Sequence, residues 1–173
     1  MKNDLAVIKK LRTYTAVTMC TASEYLEANP PKQAIELPES SWGSGGHWQV
    51  WLNNDTEWMW PIIHESEKTM EALAKQHAST KDELTTRALK QATRELLLLE
   101  SSDWPFLVTT GQAKNYAVER FNSHHERFKQ LADMLKSGKI DGGKLSEIED
   151  IDNCFPDASA GSFLVPQSAE AVK

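Results

Sequence analysis

Between residues 113 and 135, Ala113, Tyr116, Ala117, Phe121, His124, Phe128, Leu131 and Leu135 recur at spacings of three and four, apart from the adjacent pair Tyr116 and Ala117. Only an α-helix gathers such a series onto one face, and so long a stripe needs an equally long surface to lie against. A helix is therefore predicted from about Gln112 to Ser137, with Gly138 ending it in the C′ position. Two further helices are predicted to supply that surface. One runs from Pro61 to about His77, with Ile62, Ile63, Ser66, Met70 and Leu73 as its stripe. Asn54 or Asp55 would cap its approach, and Pro61 is tolerated only near a helix beginning. The other starts at the capping-box signature Thr80-x-x-Glu83 and runs to about Glu100. Its end, LLLLE, is apolar all round and should be buried on several sides. Ser102 or Asp103 is placed to cap a short helix through Trp104, Phe106 and Val108. These elements together predict a mainly α chain, an antiparallel helical bundle.

The first 40 residues read differently. Leu5 to Leu11 suggests one or two helical turns, and the β-branched run Thr13 to Met19 reads as a short strand. Ser23 is placed to cap the helix SEYLEAN, which Pro30 and Pro31 stop. Ala34 to Leu37 is an extended piece ending at Pro38. These short elements cannot close a sheet by themselves, so they are predicted to be an α/β remnant whose other strands are missing. At the other end, Gly142-Gly143 is expected to break the chain before a weak helix from Leu145 to Ile151. The last 20 residues are small and polar and are expected to be loosely ordered. The organisation is thus 1–40, an α/β remnant; 41–138, a tryptophan-rich loop and helical domain; and 139–173, a weak helix and tail.

Composition excludes several function classes. The net charge of -6, with no Lys/Arg run, argues against nucleic-acid binding. The longest uninterrupted apolar run, Leu96 to Leu99, is far too short to span a bilayer, so no membrane partner is expected. The N-terminus lacks the apolar segment of a secretion signal, and Cys20 and Cys154 form no disulfide framework. Both points are consistent with a cytoplasmic location. The sequon Asn54-Asp55-Thr56 is then a chance match. None of the five histidines falls in a metal-binding spacing, so no metal and no cofactor are expected. His64 and His124 read as helix-face histidines with ordinary partners. GSGG at 43–46 lacks the lysine and the strand–helix setting of a phosphate loop, and KSGKIDGGK reads as solvated surface. There is no GxSxG elbow, and no carboxylate pair is marked by sequence for glycoside chemistry. No catalytic residue is assigned.

The tryptophans remain. Trp42, Trp48, Trp51, Trp58 and Trp60 are five of the six in the chain. They flank Gly43, Gly45 and Gly46, which permit a tightly turning loop. A lone tryptophan is more often core than ligand contact, and Trp58 and Trp60 could simply staple a helix entry to the core. Clustering in a glycine-broken loop shifts the balance, because ligand contacts concentrate on loops. Indole faces stack on the C–H faces of sugar rings, and the N–H can bond a hydroxyl. Beside Ser41, Gln49, Asn53 and Asp55 this is the composition of a glycan-binding wall. A buried interface with another domain is the alternative.

The segment LPESSWGSGGHWQVWLNNDTEWMW follows TASEYLEANPP and precedes LLLLESSDWPFLVTTGQAKNYAVERFNSHHERFKQLADML. Together they resemble the C-terminal part of bacterial α-glucan branching enzymes of glycoside hydrolase family fifty-seven. The resemblance covers roughly residues 5 to 136. It implies that residues 1–40 correspond to the last unit of an incomplete (β/α) barrel and that the helical part is the C-terminal domain. It further implies that the two catalytic carboxylates lie on earlier barrel strands absent from this sequence. It implies that Trp48, Trp51 and Trp60, with Ser102 and Asp103 of the SSDW segment, face substrate. Trp42, Gly43, Gly45 and Gly46 would shape the loop, and Trp58 would pack inward. Asp103 can bond sugar hydroxyls, cap its helix, or do both.

The expected function rests on this resemblance. The chain would be the helical C-terminal domain of an enzyme that transfers an α-1,4-glucan segment to a 6-hydroxyl. It would bind α-glucan (amylose, glycogen or maltooligosaccharide) and would be inactive alone. It would work with a missing (β/α) barrel, either a domain or a separate chain. A stand-alone glucan-binding module, or a docking subunit that completes a separate barrel chain, is the alternative.

Overall fold

A computed structural model describes residues 2–14 and 16–164. The chain separates into two compact units, Met1–Glu39 and Ser40–Lys173.

The first unit holds α1 (Lys2–Leu11) and α2 (Ala22–Ala28). Thr21, not Ser23, caps α2. Its hydroxyl accepts from the Glu24 N–H at 3.2 Å and its own N–H donates to Glu24 at 2.7 Å, a complete capping box. Those bonds, the backbone one first and the hydroxyl second, hold the Glu24 carboxyl below its ordinary value. The strand predicted over 13–19 does not form, and no described residue lies in a strand. The physical reason is that an extended segment needs a neighbouring strand to satisfy its backbone groups, and this unit offers none. Ala34–Leu37 is without regular structure, as expected of an extended piece. Every residue from 16 to 40 is exposed.

The second unit is a helical bundle of α3 (Met59–Gln76), α4 (Glu83–Leu99), α5 (Asp103–Thr110), α6 (Lys114–Ser137) and α7 (Gly142–Ile151). Short 3-10 turns lie at Ser44–Gly46, Trp48–Val50 and Ala160–Phe163. The long stripe of α6 lies against α4 and α5, and α3 packs on α4 and α6. Phe121, Phe128, Leu131 and Leu135 of α6 meet Leu96 and Leu99 of α4 and Met70 and Leu73 of α3 in one core. Each such side chain contributes about 1.5–3 kcal/mol on burial. Gly138 ends α6 with φ of 66°, as its placement predicts.

Several local expectations change. Asp82 caps α4 by accepting from the Thr85 N–H at 2.8 Å, in place of the Thr80–Glu83 box. The Thr85 hydroxyl and N–H together hold the Asp82 carboxyl below its ordinary value. Neither Asn54 nor Asp55 caps α3; the preceding residue is Trp58, and Pro61 is tolerated because it falls in the first turn. Leu97 and Tyr116 face solvent, although Leu96 and Leu99 of the one run and Ala117 and Phe121 of the other are buried. Gly142-Gly143 is not a break but the first turn of α7, since Asp141 accepts from the Lys144 N–H at 3.0 Å. Within the expected loose tail, Ala160 and Phe163 pack on the core, while most other described tail residues are exposed. The rest of the expected loose tail, residues 165–173, lies outside the described residues. No described helix is long and apolar enough to cross a membrane.

Candidate functional site

The tryptophan loop is closed by short-range bonds. The Ser41 hydroxyl donates to the His47 carbonyl at 2.6 Å and accepts from the Gly43 N–H at 3.1 Å. The Ser41 N–H donates to the Gly46 carbonyl at 3.0 Å. Gly45 and Gly46 turn the chain with φ of 66° and 75°, in the left-handed region. At Gly43 the constraint is space. A Cβ there would lie 2.7 Å from the His47 carbonyl oxygen and 2.8 Å from the Trp51 ring. The indole of Trp51 is therefore seated on bare backbone.

Trp51 also organises the chain between the loop and α3. Its carbonyl accepts from the Trp60 indole N–H at 3.1 Å and from the fully buried Thr56 hydroxyl at 2.9 Å. Thr56 in turn accepts from the Asn53 N–H at 3.1 Å, and Asn53 Nδ2 reaches the Thr109 hydroxyl of α5 at 2.8 Å. The loop is thus pinned to the first turn of α3 and to the end of α5.

The result is an open groove of about 750 Å³. Trp42, Trp48, Trp51 and Trp60 form its aromatic walls. Leu52, His64, Ser41 and Ser102 complete the lining. Trp42 meets Trp51 edge to face at 5.6 Å and leans on Phe106 at 6.0 Å. Trp42 is 80% exposed and Trp48 50% exposed. Large apolar surface left open in this way, rimmed by hydroxyls, marks an interaction site.

Of the residues singled out from sequence, Trp48, Trp51, Trp60 and Ser102 come together in this groove. Asp103 does not line it; it is exposed and starts α5. Its capping role is also absent, since Ser102 precedes the helix and makes no side-chain capping bond. Trp42, assigned to loop shaping, stands in the groove wall. Gly43, Gly45 and Gly46 shape the loop beneath it. Trp58 packs edge to face on the core residue Phe121 at 5.3 Å, yet 38% of it remains exposed, so it covers the core rather than entering it. Sequence reasoning does not mark His64 as a groove residue. Its spacing is the available signal, because it follows Trp60 by four residues and so shares its helix face.

The chain also contains a polar cluster of the opposite character. Glu95, His124 and Asp152 are buried, with ligand-type atoms within 4.8 Å of one another. Arg127 already fills the space between the acids. Its Nε donates to Glu95 at 3.1 Å and its Nη2 lies 2.7 Å from Asp152. Arg120 Nη2 lies 3.0 Å from His124 Nε2, and His124 Nδ1 lies 2.9 Å from Glu95 and 3.0 Å from Arg127 Nη2. Gln91 bonds both Glu95 and the Asp152 carbonyl. Trp104 stacks over His124 with centroids 6.1 Å apart. Two guanidinium groups balance two carboxylates, so these donors are engaged as an ion-pair network and a metal would have to displace arginine. His124 is therefore far from an ordinary helix-face histidine.

Comparison with known proteins gives one consistent result. The family described as 1,4-alpha-glucan branching enzyme, C-terminal, matches residues 62–163. A 1,4-alpha-glucan branching enzyme of Thermococcus kodakarensis is 44% identical over 149 residues, covering 83% of this chain and 22% of the relative. The crystal structure of the GH57-type branching enzyme of the archaeon Pyrococcus horikoshii aligns with TM-score 0.74 and 39% identity, over 91% of this chain and 30% of that one. The alpha-amylase AmyC of Thermotoga maritima aligns with TM-score 0.68 and 32% identity, over 91% and 29%. The chain thus spans about a fifth of the length of the curated relative it matches. The Pyrococcus match is archaeal, so the likeness is not confined to bacterial enzymes.

Proposed function

The chain belongs to the family of 1,4-alpha-glucan branching enzyme C-terminal domains, and on that premise we propose that its groove is the aromatic wall of an α-glucan cleft. The observation that carries this reading is the groove itself: four indoles, three on a loop that leaves no room for a side chain at Gly43 and one on the first turn of α3, kept open to solvent beside hydroxyls. Such a surface suits a neutral chain of sugar rings. The rings offer C–H faces to the indoles, and their hydroxyls can meet Ser41, Ser102 and His64. Trp48, Trp51 and Trp60 are the stacking residues in this proposal, and Ser102 bonds a hydroxyl. Asp103 sits on the rim, where it would act only on a longer chain. The wall excludes water and holds the glucan in place, which favours transfer to a 6-hydroxyl over hydrolysis in a retaining mechanism.

The catalytic carboxylates of that mechanism belong, in this proposal, to a (β/α) barrel outside residues 1–173. This chain alone therefore binds glucan without turning it over. Apolar side chains left exposed on the first unit, such as Ile35 and Leu37, support its docking on such a body, whether one chain or two. Tryptophan fluorescence titrated with maltooligosaccharides tests the binding reading. A saturable change that Trp48→Ala and Trp51→Ala remove is expected, and no saturable change in the unaltered chain overturns it. Incubation with amylose should leave iodine staining and reducing ends unchanged; clear turnover would show that the catalytic groups are present after all.

A further inference from the structure

A second pocket, of about 320 Å³, opens beside the groove, between α3, the end of α4 and the start of α5. Trp51, Trp60 and Ser102 line both, so the two spaces share a wall. Its volume is at the low end of the roughly 300–1,000 Å³ of small-molecule pockets, the scale of one ring and not of a chain. Ile63 and Pro105 extend the apolar side, while Glu67 of α3 and Glu100, just past α4, face it from two different elements.

These two carboxylates differ from the other sheltered acids. Glu71, Glu95, Glu149 and Asp152 each have a basic partner within salt-bridge distance. Glu67 and Glu100 are half-buried and, among the described residues, have no basic partner. Burial first, and the neighbouring Glu67 second, push the Glu100 carboxyl up to about 7. Two acids held together without a cation are costly unless something else meets them. The pocket carries no positive group, so it repels phosphates and carboxylates. A calcium ion needs about six or more oxygen ligands, which two carboxylates in a half-apolar pocket do not provide. A neutral polyol fits both features, since vicinal hydroxyls donate to carboxylates and a ring face covers an indole.

We propose that the Glu67–Glu100 pocket is a hydroxyl-recognition subsite that takes one sugar ring of a glucan lying in the groove. Glu67 and Glu100 accept from its hydroxyls, and Trp60 covers its face. The subsite rests on the reading of the groove as a glucan wall. It also makes binding pH-dependent. The titratable groups facing the pocket are Glu67 from α3 and Glu100 itself; α5 adds Pro105 and the loop adds Trp51, neither ionisable. Hydroxyl donation favours the charged carboxylate, so affinity rises as the pH passes through the range where Glu100 loses its proton.

Calorimetric titration of the full chain with maltotriose separates this proposal from the one beneath it. At pH 8, Glu67→Ala and Glu100→Ala are expected to weaken binding at least fivefold, and Trp48→Ala to remove it. Between pH 6 and pH 8 the unaltered chain should bind more tightly as pH rises, and Glu100→Ala should flatten that slope. Near-ultraviolet circular dichroism checks that the variants are folded. If they are not, the carboxyl resonance of Glu100 in the unaltered chain decides, because saturating maltotriose should lower its titration midpoint. A chain that binds through Trp48 but is indifferent to both glutamates, with an unmoved Glu100 midpoint, overturns the subsite and leaves the groove standing. A chain that binds no maltotriose overturns both.

Discussion

Trp104 and Trp48 are indoles of the same bundle in opposite circumstances. The N–H of Trp104 donates to the Leu98 carbonyl at 2.7 Å, and its ring stacks over His124. Around it Glu95, Arg127, Arg120 and Asp152 form ion pairs, although Arg120 Nε is left without a hydrogen-bond partner. Trp48 stands half in solvent at the edge of a groove lined by three more indoles. Both regions cost free energy to build: one buries charge, the other exposes apolar surface. Only the first recovers that cost within the chain. A polar cluster whose members are paired is structural, whereas an apolar cluster left open looks outward for its partner.

The sharpest way to break this contrast is inside the network. Arg127→Leu leaves Glu95 and Asp152 buried without their shared cation, and should cost about 3–5 kcal/mol, seen as a lower urea midpoint. If the loss is below about 1 kcal/mol, the network is not the closed unit described. Next comes Gly43→Ala, which forces a methyl group against the His47 carbonyl and the Trp51 ring. It should cost about 1–3 kcal/mol and disturb the groove, so stability and maltooligosaccharide binding fall together.

Glu100 gives a smaller, pH-dependent effect. Its carboxyl rises from the ordinary 4.5 to about 7 on folding. Its contribution to stability is therefore whole below pH 4.5 and lost as pH rises through 7. Glu100→Gln removes that loss, and at pH 8 it should be more stable than the unaltered chain by about 1 kcal/mol, allowing for the solvent open to half the group. At pH 4 the two should melt alike. The smallest stability change belongs to Trp48→Ala, within about 0.5 kcal/mol, because the side chain is half exposed and bonds nothing. Yet it should lose more than tenfold in maltooligosaccharide affinity, so function and stability part company at this residue as they do not at Arg127.

Much of the bundle is legible in the sequence because helical periodicity is a local property. Ile63, Ser66, Met70 and Leu73 read as a stripe and are all buried. Cap positions are less legible, since Thr80 and Asp82, or Ser23 and Thr21, compete within one turn and the backbone geometry decides between them. The strand over 13–19 fails for a different reason: β-branched composition says only that a segment suits a sheet, not that a partner strand is present. In the groove, composition and resemblance point to Trp48, Trp51, Trp60 and Ser102 but not to His64, and they do not mark Glu67 and Glu100 of the adjoining pocket.

By itself the sequence determined the helices, their buried faces and a glycine-broken cluster of indoles, because spacing and backbone freedom are written within a few residues. The tertiary structure alone decided which indoles stay open and which acids find an arginine. Glu95, Arg127 and Asp152 lie on separate elements and meet only through the angles at which α4, α6 and α7 pack. The same packing sets Glu67 beside Glu100 with no cation between them.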